Sequence, residues 1–290
     1  MRQDYTATEA NSPRPPLFVS LTTIRSRLPQ LAEVLRSLRG QSLRPDRVVL
    51  VLSEEPFGLD DGVRLSHLPR EIIVFVEEGW LEILFSANTG PYRKLIPLLR
   101  RYRGLERLIV TVDDDTIYRE HWLAGLVSVY ETQRCVVAYR CRAMPVEDGH
   151  FRPYREWRLL PSHGDSFGEV NPLYTNLFTL PTGVGGVLYN SAFFDDLDFL
   201  DQLRKLAPFQ DDLAFKAAML CRRVPTFRVA DDSNIGAKSA FHRPREPATS
   251  RSLNSINGRG PNDKAWRQIV ALLEAKGYFR VSDFTVKRAQ

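Results

Sequence analysis

Leu108-Ile-Val-Thr-Val-Asp113-Asp114-Asp115-Thr-Ile-Tyr118 decides how the rest of this chain reads. Five uncharged residues rich in β-branched side chains have the pattern of a buried parallel strand. In open α/β sheets, ligands gather at the carboxyl ends of such strands. The three acids therefore stand where a site is expected. While strand geometry persists, Asp113 and Asp115 are expected on one side and Asp114 on the other. Adjacent carboxylates repel one another, and a bound Mg²⁺ or Mn²⁺ is the simplest reason to keep them together. The plainer alternative is a turn with one Asp capping the next helix.

Upstream of the acids the sequence alternates between two periods. Leu17–Thr22 reads as a short strand, after which Leu28, Leu31, Val34, Leu35 and Leu38 recur at helical spacing until Gly40. Arg47–Leu52 reads as the second strand and Ile72–Val76 as the third. Leu95, Ile96, Leu98, Leu99 and Tyr102 form the apolar side of a helix leading into the acidic strand. Downstream, Trp122, Leu126, Val127 and Tyr130 mark a helix, and Cys135–Tyr139 a strand. This alternation predicts an α/β fold with a doubly wound, mostly parallel sheet and helices on both faces. Residues 143–180 lose the periodicity among several prolines, and a long irregular segment in a compact domain is usually functional or mobile. A C-terminal helix over 262–277 carries Trp266, Ile269, Val270 and Leu273 on one side. Residues 17–290 read as one domain, behind a flexible polar tail over residues 1–16.

With 290 residues and 43% apolar side chains, the chain can bury a sizeable core. Forty Lys and Arg against 35 Asp and Glu give a net charge of +5, spread along the chain rather than gathered in a tract. That balance suits anionic substrates or an anionic membrane surface, and no nucleic-acid partner is expected from it. Cys135, Cys141 and Cys221 lack metal-ligand spacing and read as buried, reduced thiols. The first 16 residues lack the apolar core of a secretory signal, and no apolar run approaches 18 residues. The expectation is a cytoplasmic protein that meets a membrane, if at all, peripherally at its inner face.

Three further clusters carry candidate chemistry. Asn88-Thr-Gly-Pro-Tyr-Arg93-Lys94 precedes a helix and offers backbone N–H groups and two cations to an anion, or is an ordinary turn with solvated cations. Gly183-Val-Gly185-Gly186 does not match a dinucleotide fingerprint, because position 188 is Leu. Its glycines either let the backbone approach a substrate or make a tight turn. Gln210-Asp211-Asp212 opens a helix, where one Asp could cap and the other serve as a base. His242 reads on its own as a surface or core imidazole.

Taken in order, Val19-Ser-Leu-Thr22-Thr23-Ile24, Gln41-Ser-Leu-Arg-Pro45-Asp46, Gly90-Pro-Tyr-Arg-Lys94, Asp113-Asp114-Asp115, Pro181-Thr-Gly183-Val-Gly185-Gly186-Val-Leu-Tyr189 and Asp211-Asp212 resemble the family-2-like glycosyltransferases with a GT-A fold, over roughly residues 17 to 240. The resemblance implies a Rossmann-like GT-A domain and a nucleotide-diphosphate sugar donor. It also implies a divalent Mn²⁺ or Mg²⁺ at an Asp-x-Asp motif, and inverting transfer to a saccharide, lipid-linked or glycoconjugate acceptor. It places Thr22, Thr23 and Arg25 at the nucleotide, Glu54 or Glu55 at the base or ribose, and Lys94 at the base or diphosphate. Asp113 and Asp114 belong to the donor side, Asp115 and Asp113 to the metal, and His242 is a further candidate ligand. Gly185 and Gly186 lie between donor and acceptor, with Trp157 in an acceptor-side loop region over 143–180. Asp212 is the expected base, with Asp211 beside it where the family usually has Glu-Asp.

Two other classes compete with this reading. A sugar-phosphate nucleotidyltransferase also uses an acidic Rossmann-like site, but it usually has a glycine- and basic-rich loop after the first strand. Thr22-Thr-Ile-Arg-Ser-Arg27 contains no glycine. A non-catalytic carbohydrate-binding protein would not need both acid groups intact.

Overall fold

The computed structural model describes residues 14–160, 177–229, 240–244 and 260–284. Its centre is a seven-stranded sheet. The first four strands are β1 (Leu17–Thr22), β2 (Arg47–Leu52), β3 (Leu81–Phe85) and β4 (Leu108–Val112). Beyond the short β5 (Ile117–Tyr118) come β6 (Val136–Ala138), β7 (Cys141–Ala143), β8 (Val146–Glu147), β9 (His150–Phe151), β10 (Thr179–Pro181), β11 (Val187–Asn190), β12 (Thr226–Arg228) and β13 (Phe241–His242). The sheet order is β12-β6-β11-β4-β1-β2-β3, with β11 antiparallel to both neighbours and the other pairs parallel. The expected mostly parallel α/β sheet is present.

Burial explains why the strands are apolar throughout. Phe18, Val49, Val51 and Ile109 enter one core cluster, while Val19, Leu50 and Val110 enter the other. Alternate side chains thus leave opposite faces, and helices cover both. One face packs on α1 (Leu28–Arg39), α2 (Arg70–Glu77) and α4 (Trp122–Gln133); the other packs on α3 (Ile96–Arg101) and the helices Leu197–Leu206, Asp211–Cys221 and Pro261–Ala275. In α1 the buried residues include Leu28, Leu31, Val34, Leu35 and Leu38, and Gly40 is its C-cap.

Ile72–Val76, expected as a strand, lies instead within α2. Ile72 and Phe75 are its buried residues, one helical turn apart, and the strand follows after Gly79 as β3. Parallel β2 and β3 need a crossover between them, and that requirement overrides the β propensity of the run. Of the expected tail, residues 1–13 lie outside the described residues, while Arg14 pairs with Asp46 at 2.9 Å.

The segment 143–180 is described over 143–160 and 177–180. There β7 pairs with β10 and β8 with β9. Phe151, Trp157 and Phe178 join Trp266 and Phe279 in an aromatic cluster with ring centroids 5.2 to 6.5 Å apart. The C-terminal helix thereby closes one core. Among the described residues, no helix is long and apolar enough to cross a membrane.

Candidate active site

The chain runs from β1 through β2 and β3 on one side and returns to β4 on the other, so β1 and β4 flank a topological switch point. A cleft opens at their carboxyl ends. It is lined by Thr22 and Thr23 after β1, the three acids after β4, Arg93 and Lys94 before α3, Gly183, and Asp211 and Asp212 at the start of the Asp211–Cys221 helix.

Strand geometry ends at Val112, and with it the expected alternation of the acids. Asp114 and Asp115 turn to one shared cation: Arg27 Nη1 donates to Asp114 at 2.8 Å and to Asp115 at 2.9 Å. Thr23 Oγ donates to the other oxygen of Asp114 at 2.6 Å. Antiparallel pairing of β5 with β13 sets Phe241 opposite Tyr118 and His242 opposite Ile117, and Arg243 just beyond reaches Asp115. Burial and the neighbouring Asp113 and Asp114 push the Asp115 carboxyl up. Asp113 behaves differently. Burial would raise it, but Lys94 at 3.1 Å, with Arg243 and Arg27, outweighs burial and holds it below its ordinary value.

Lys94 connects the two acid groups. Its ammonium lies 3.1 Å from Asp113 and 3.1 Å from Asp211, the latter an ion pair without hydrogen-bond alignment. Burial lowers the ammonium pKa, and the charges of Asp113, Asp211 and Asp212 more than reverse that. A turn with solvated cations is excluded, because Arg93 and Lys94 are both buried and Arg93 pairs with Asp60 at 2.7 Å. Neither Asp211 nor Asp212 caps the helix. Gln210 holds the N-cap position without a side-chain cap, and both acids sit in the first turn. Asp212 accepts the Gly183 N–H at 3.3 Å. Burial first, and then Asp211, push its carboxyl up to about 7.

The glycines give the backbone close approach. A Cβ at Gly183 would come within 3.0 Å of the Lys94 ammonium, and one at Gly186 within 2.3 Å of the Trp122 ring. Gly186 also has φ +78°, which disfavours any side chain. Gly185 packs on Phe241 and its carbonyl accepts the Trp122 indole at 2.7 Å, so Gly185 and Gly186 shape the wall rather than face the cleft.

Several expected residues lie elsewhere. Arg25 is exposed, and Arg27, two residues on, lines the cleft in its place. Glu54 and Glu55 are exposed; the lining acid after β2 is Asp60, brought back by the tight Phe57–Asp60 turn. Trp157 cannot stack on a sugar, being fully buried with its indole N–H on Arg152 O. Nearby Tyr154 reaches a second cavity, described below, together with Arg140 and Arg142. The alternation Arg140-Cys141-Arg142 is the sequence signal for that pair: two cations on one face beyond the carboxyl end of β6. His242 is exposed and lines neither cavity.

Hard carboxylate oxygens suit Mg²⁺ or Mn²⁺. The cleft sets Asp60, Asp113, Asp114, Asp115, Asp211 and Asp212 against Arg27, Arg93, Lys94 and Arg243, an excess of acids that a divalent ion would balance. Asp113 hydrogen-bonds Lys94 through Oδ1 alone among the described residues, which leaves Oδ2 for a ligand. Asp115 receives both Arg27 and Arg243 on Oδ2, and among the described residues its Oδ1 accepts the adjacent Thr116 hydroxyl alone, at 3.3 Å. Among the described residues, no group of three or more His, Cys, Asp or Glu forms a ready metal site.

The sequence matches no protein-family model and no curated protein. Several solved structures resemble it. Staphylococcus aureus TarS 1–349 in complex with UDP-GlcNAc aligns with TM-score 0.51 and 16% identity over 90% of this chain and 66% of that one. A Pyrobaculum calidifontis mannosyltransferase with GDP-Man and Mn²⁺ gives TM-score 0.46 and 15% identity, over 79% of this chain and 59% of that one. A 4-diphosphocytidyl-2C-methyl-D-erythritol synthase gives 0.46 and 12%, over 87% of this chain and 100% of that one. The chain spans 58 to 66% of the TarS 1–349 chains it matches. With its mostly parallel sheet, covered faces and cleft at the β1–β4 switch point, the chain has a Rossmann-like GT-A fold.

Proposed function

We propose that this protein is a glycosyltransferase that moves a sugar from a nucleotide-diphosphate sugar to an acceptor hydroxyl of a saccharide, lipid-linked or glycoconjugate acceptor. The observation that carries the reading is Lys94, whose one ammonium ties Asp113 at the end of β4 to Asp211 at the start of a helix. Two acid groups in distinct electrostatic states then face one cleft, as displacement at a sugar carbon requires. Phe57, Leu59 and Phe209 supply an apolar wall for a nucleobase beside Asp60 and Arg93. The donor diphosphate takes over contacts that Arg27, Lys94 and Arg243 now make to carboxylates. Asp113 and Asp115 would hold a divalent ion, which when bound stabilises the negative charge developing on the leaving diphosphate.

Asp212 is the base. A carboxylate pushed up to about 7 is better matched to a hydroxyl proton near neutral pH than an ordinary one, and enough of it stays ionised to accept that proton. The Gly183 N–H holds its Oδ2 in place. Attack from this side, opposite the leaving diphosphate, inverts the sugar carbon. The test is a panel of nucleotide sugars assayed for donor hydrolysis with and without Mn²⁺. Hydrolysis of one donor, stimulated by the metal, is expected. Pyrophosphate release from a nucleoside triphosphate and a sugar phosphate, with no donor hydrolysed, would replace this reading with a nucleotidyltransferase.

A further inference from the structure

Beyond the Asp211–Asp212 wall of the donor cleft lies a second cavity of about 340 Å³, lined by Arg140, Arg142, Tyr154, Thr182 and Asp212 among others. That is room for a substrate fragment. Asp212 borders both cavities, so a molecule in the second one can bring a hydroxyl to the base while the donor occupies the first.

The two arginines differ from the cations of the donor cleft. Arg27, Arg93, Lys94 and Arg243 all pair with carboxylates. Arg140 donates instead to the Thr182 hydroxyl at 2.8 Å, and Arg142 to the Trp157 carbonyl at 2.6 Å while lying over the Tyr154 ring at 5.5 Å. Neither forms a salt bridge to a carboxylate among the described residues. The Arg142 Nε is buried without a hydrogen-bond partner there. Burial, and then the like charge of Arg142, lower the Arg140 guanidinium from its ordinary value. Two part-buried like charges cost free energy unless an anion joins them, and planar guanidinium groups bind phosphate or carboxylate oxygens two at a time.

We infer that the acceptor carries an anionic group, a phosphate ester or a carboxylate, near its attacking hydroxyl, and that Arg140 and Arg142 hold it. The inference rests on the glycosyltransferase reading for the word acceptor, but the anion site stands on its own geometry. The anion offsets the unpaired charge, and the arginines orient the neighbouring hydroxyl toward Asp212. The donor diphosphate already has Arg27 and Lys94 on the other side of the wall, while Arg243, paired with Asp115, borders both cavities.

Binding to the full chain tests this by ligand-observed NMR, with glycerol 3-phosphate, the diester glycerophosphoglycerol and neutral glycerol as probes. UDP and GDP binding is measured separately, so that failure of the donor reading shows as loss of nucleotide binding alone. The phosphate esters are expected to bind and glycerol not. Arg140→Ala and Arg142→Ala should each weaken ester binding about tenfold or more, with thermal melts confirming the fold, and Arg142→Lys should restore only part of it. Vesicles of phosphatidylglycerol and of phosphatidylcholine separate the sources. Binding by the soluble diester points to a free phosphate ester, and binding only to phosphatidylglycerol, lost in both alanine variants, points to a lipid headgroup. Equal binding of glycerol, ester binding unchanged in the arginine variants, or displacement of the ester by UDP would each overturn the inference.

Discussion

Asp113-Asp114-Asp115 and Asp211-Asp212 face the same cleft, yet their surroundings differ in the number of cations available. The first group has Arg27, Arg243 and Lys94 for three carboxylates, with Thr23 donating as well. Among the described residues the second has one ion pair at hand, Lys94 to Asp211, and Lys94 is shared with Asp113. Asp113 is held below its ordinary value chiefly by Lys94, Asp115 in the same group is raised by burial and its neighbouring carboxylates, and Asp212 is pushed up to about 7. Identical side chains are thereby prepared for opposite work. A carboxylate that stays ionised suits a metal or a fixed charge partner, and one near neutrality suits proton transfer.

The sharpest way to break this contrast is to remove basicity at Asp212 while keeping its shape. Asp212→Asn is expected to lower transfer by about 10² to 10⁴, roughly 3 to 5 kcal/mol of barrier, with donor affinity retained. In the wild type, kcat/KM should fall as pH drops below about 7, because protonation removes the base; the variant should lack that acidic limb. A variant with near-normal transfer, or with the acidic limb intact, would move the base elsewhere.

The shared lysine sharpens the comparison through stability. Lys94→Met leaves the buried Asp211 and the part-buried Asp113 without the cation they share, and loss of one partner of a buried ion pair costs about 3 to 5 kcal/mol. Arg243→Ala leaves Asp115 still paired to Arg27, at a partly exposed position, so a loss of about 1 kcal/mol or less is expected. Urea midpoints of the two variants at pH 7.5 check the order (about 7.5 being simply above the Asp212 transition). Equal losses would mean that the two acid groups are not separated by their supply of cations.

The central strand and both acid groups were legible because their signals are periodic or consecutive. Leu108–Val112 is buried at every position, and three acids in a row need no register to be noticed. Positions set by loop geometry were not legible. Arg25 and Arg27 are both arginines near a strand end, and only the short 3₁₀ turn Arg25–Arg27 decides which one enters the cleft. Glu54 and Glu55 follow β2 directly, but the turn with Gly58 at φ +60° carries Asp60 back to the site instead. Ile72–Val76 misled for a different reason: its β-branched composition is local, whereas the crossover that makes it helical depends on where β3 pairs. Trp157 is legible as an aromatic residue of 143–180 but not as a core residue: it and Phe151 pack against Trp266 of the C-terminal helix. Composition alone cannot separate an exposed platform from a core.

The last expected effect follows from linkage at Asp212. Its carboxyl stands at about 7 in the folded protein against 3.8 for an unperturbed aspartate, so the folded state holds a proton that the unfolded chain has released between these values. A group raised in this way contributes its full stability below the unfolded value, and that contribution is lost as pH rises through the folded one. At pH 8 the native protein therefore carries an ionised Asp212, buried beside Asp211, at a cost that Asp212→Asn removes. The variant should melt higher than wild type at pH 8, by about 2 to 4 °C for each kcal/mol recovered, and the difference should shrink as pH falls toward 4. Asp211→Asn should not reproduce the gain, because Asp211 is the member paired with Lys94 and its loss removes an ion pair as well as a repulsion. Melting curves of both variants from pH 4 to 8 decide it. A variant gap for Asp212→Asn that is constant across that range would show that its carboxyl does not titrate between 4 and 8, and the distinction between the two acid groups would then rest on geometry alone.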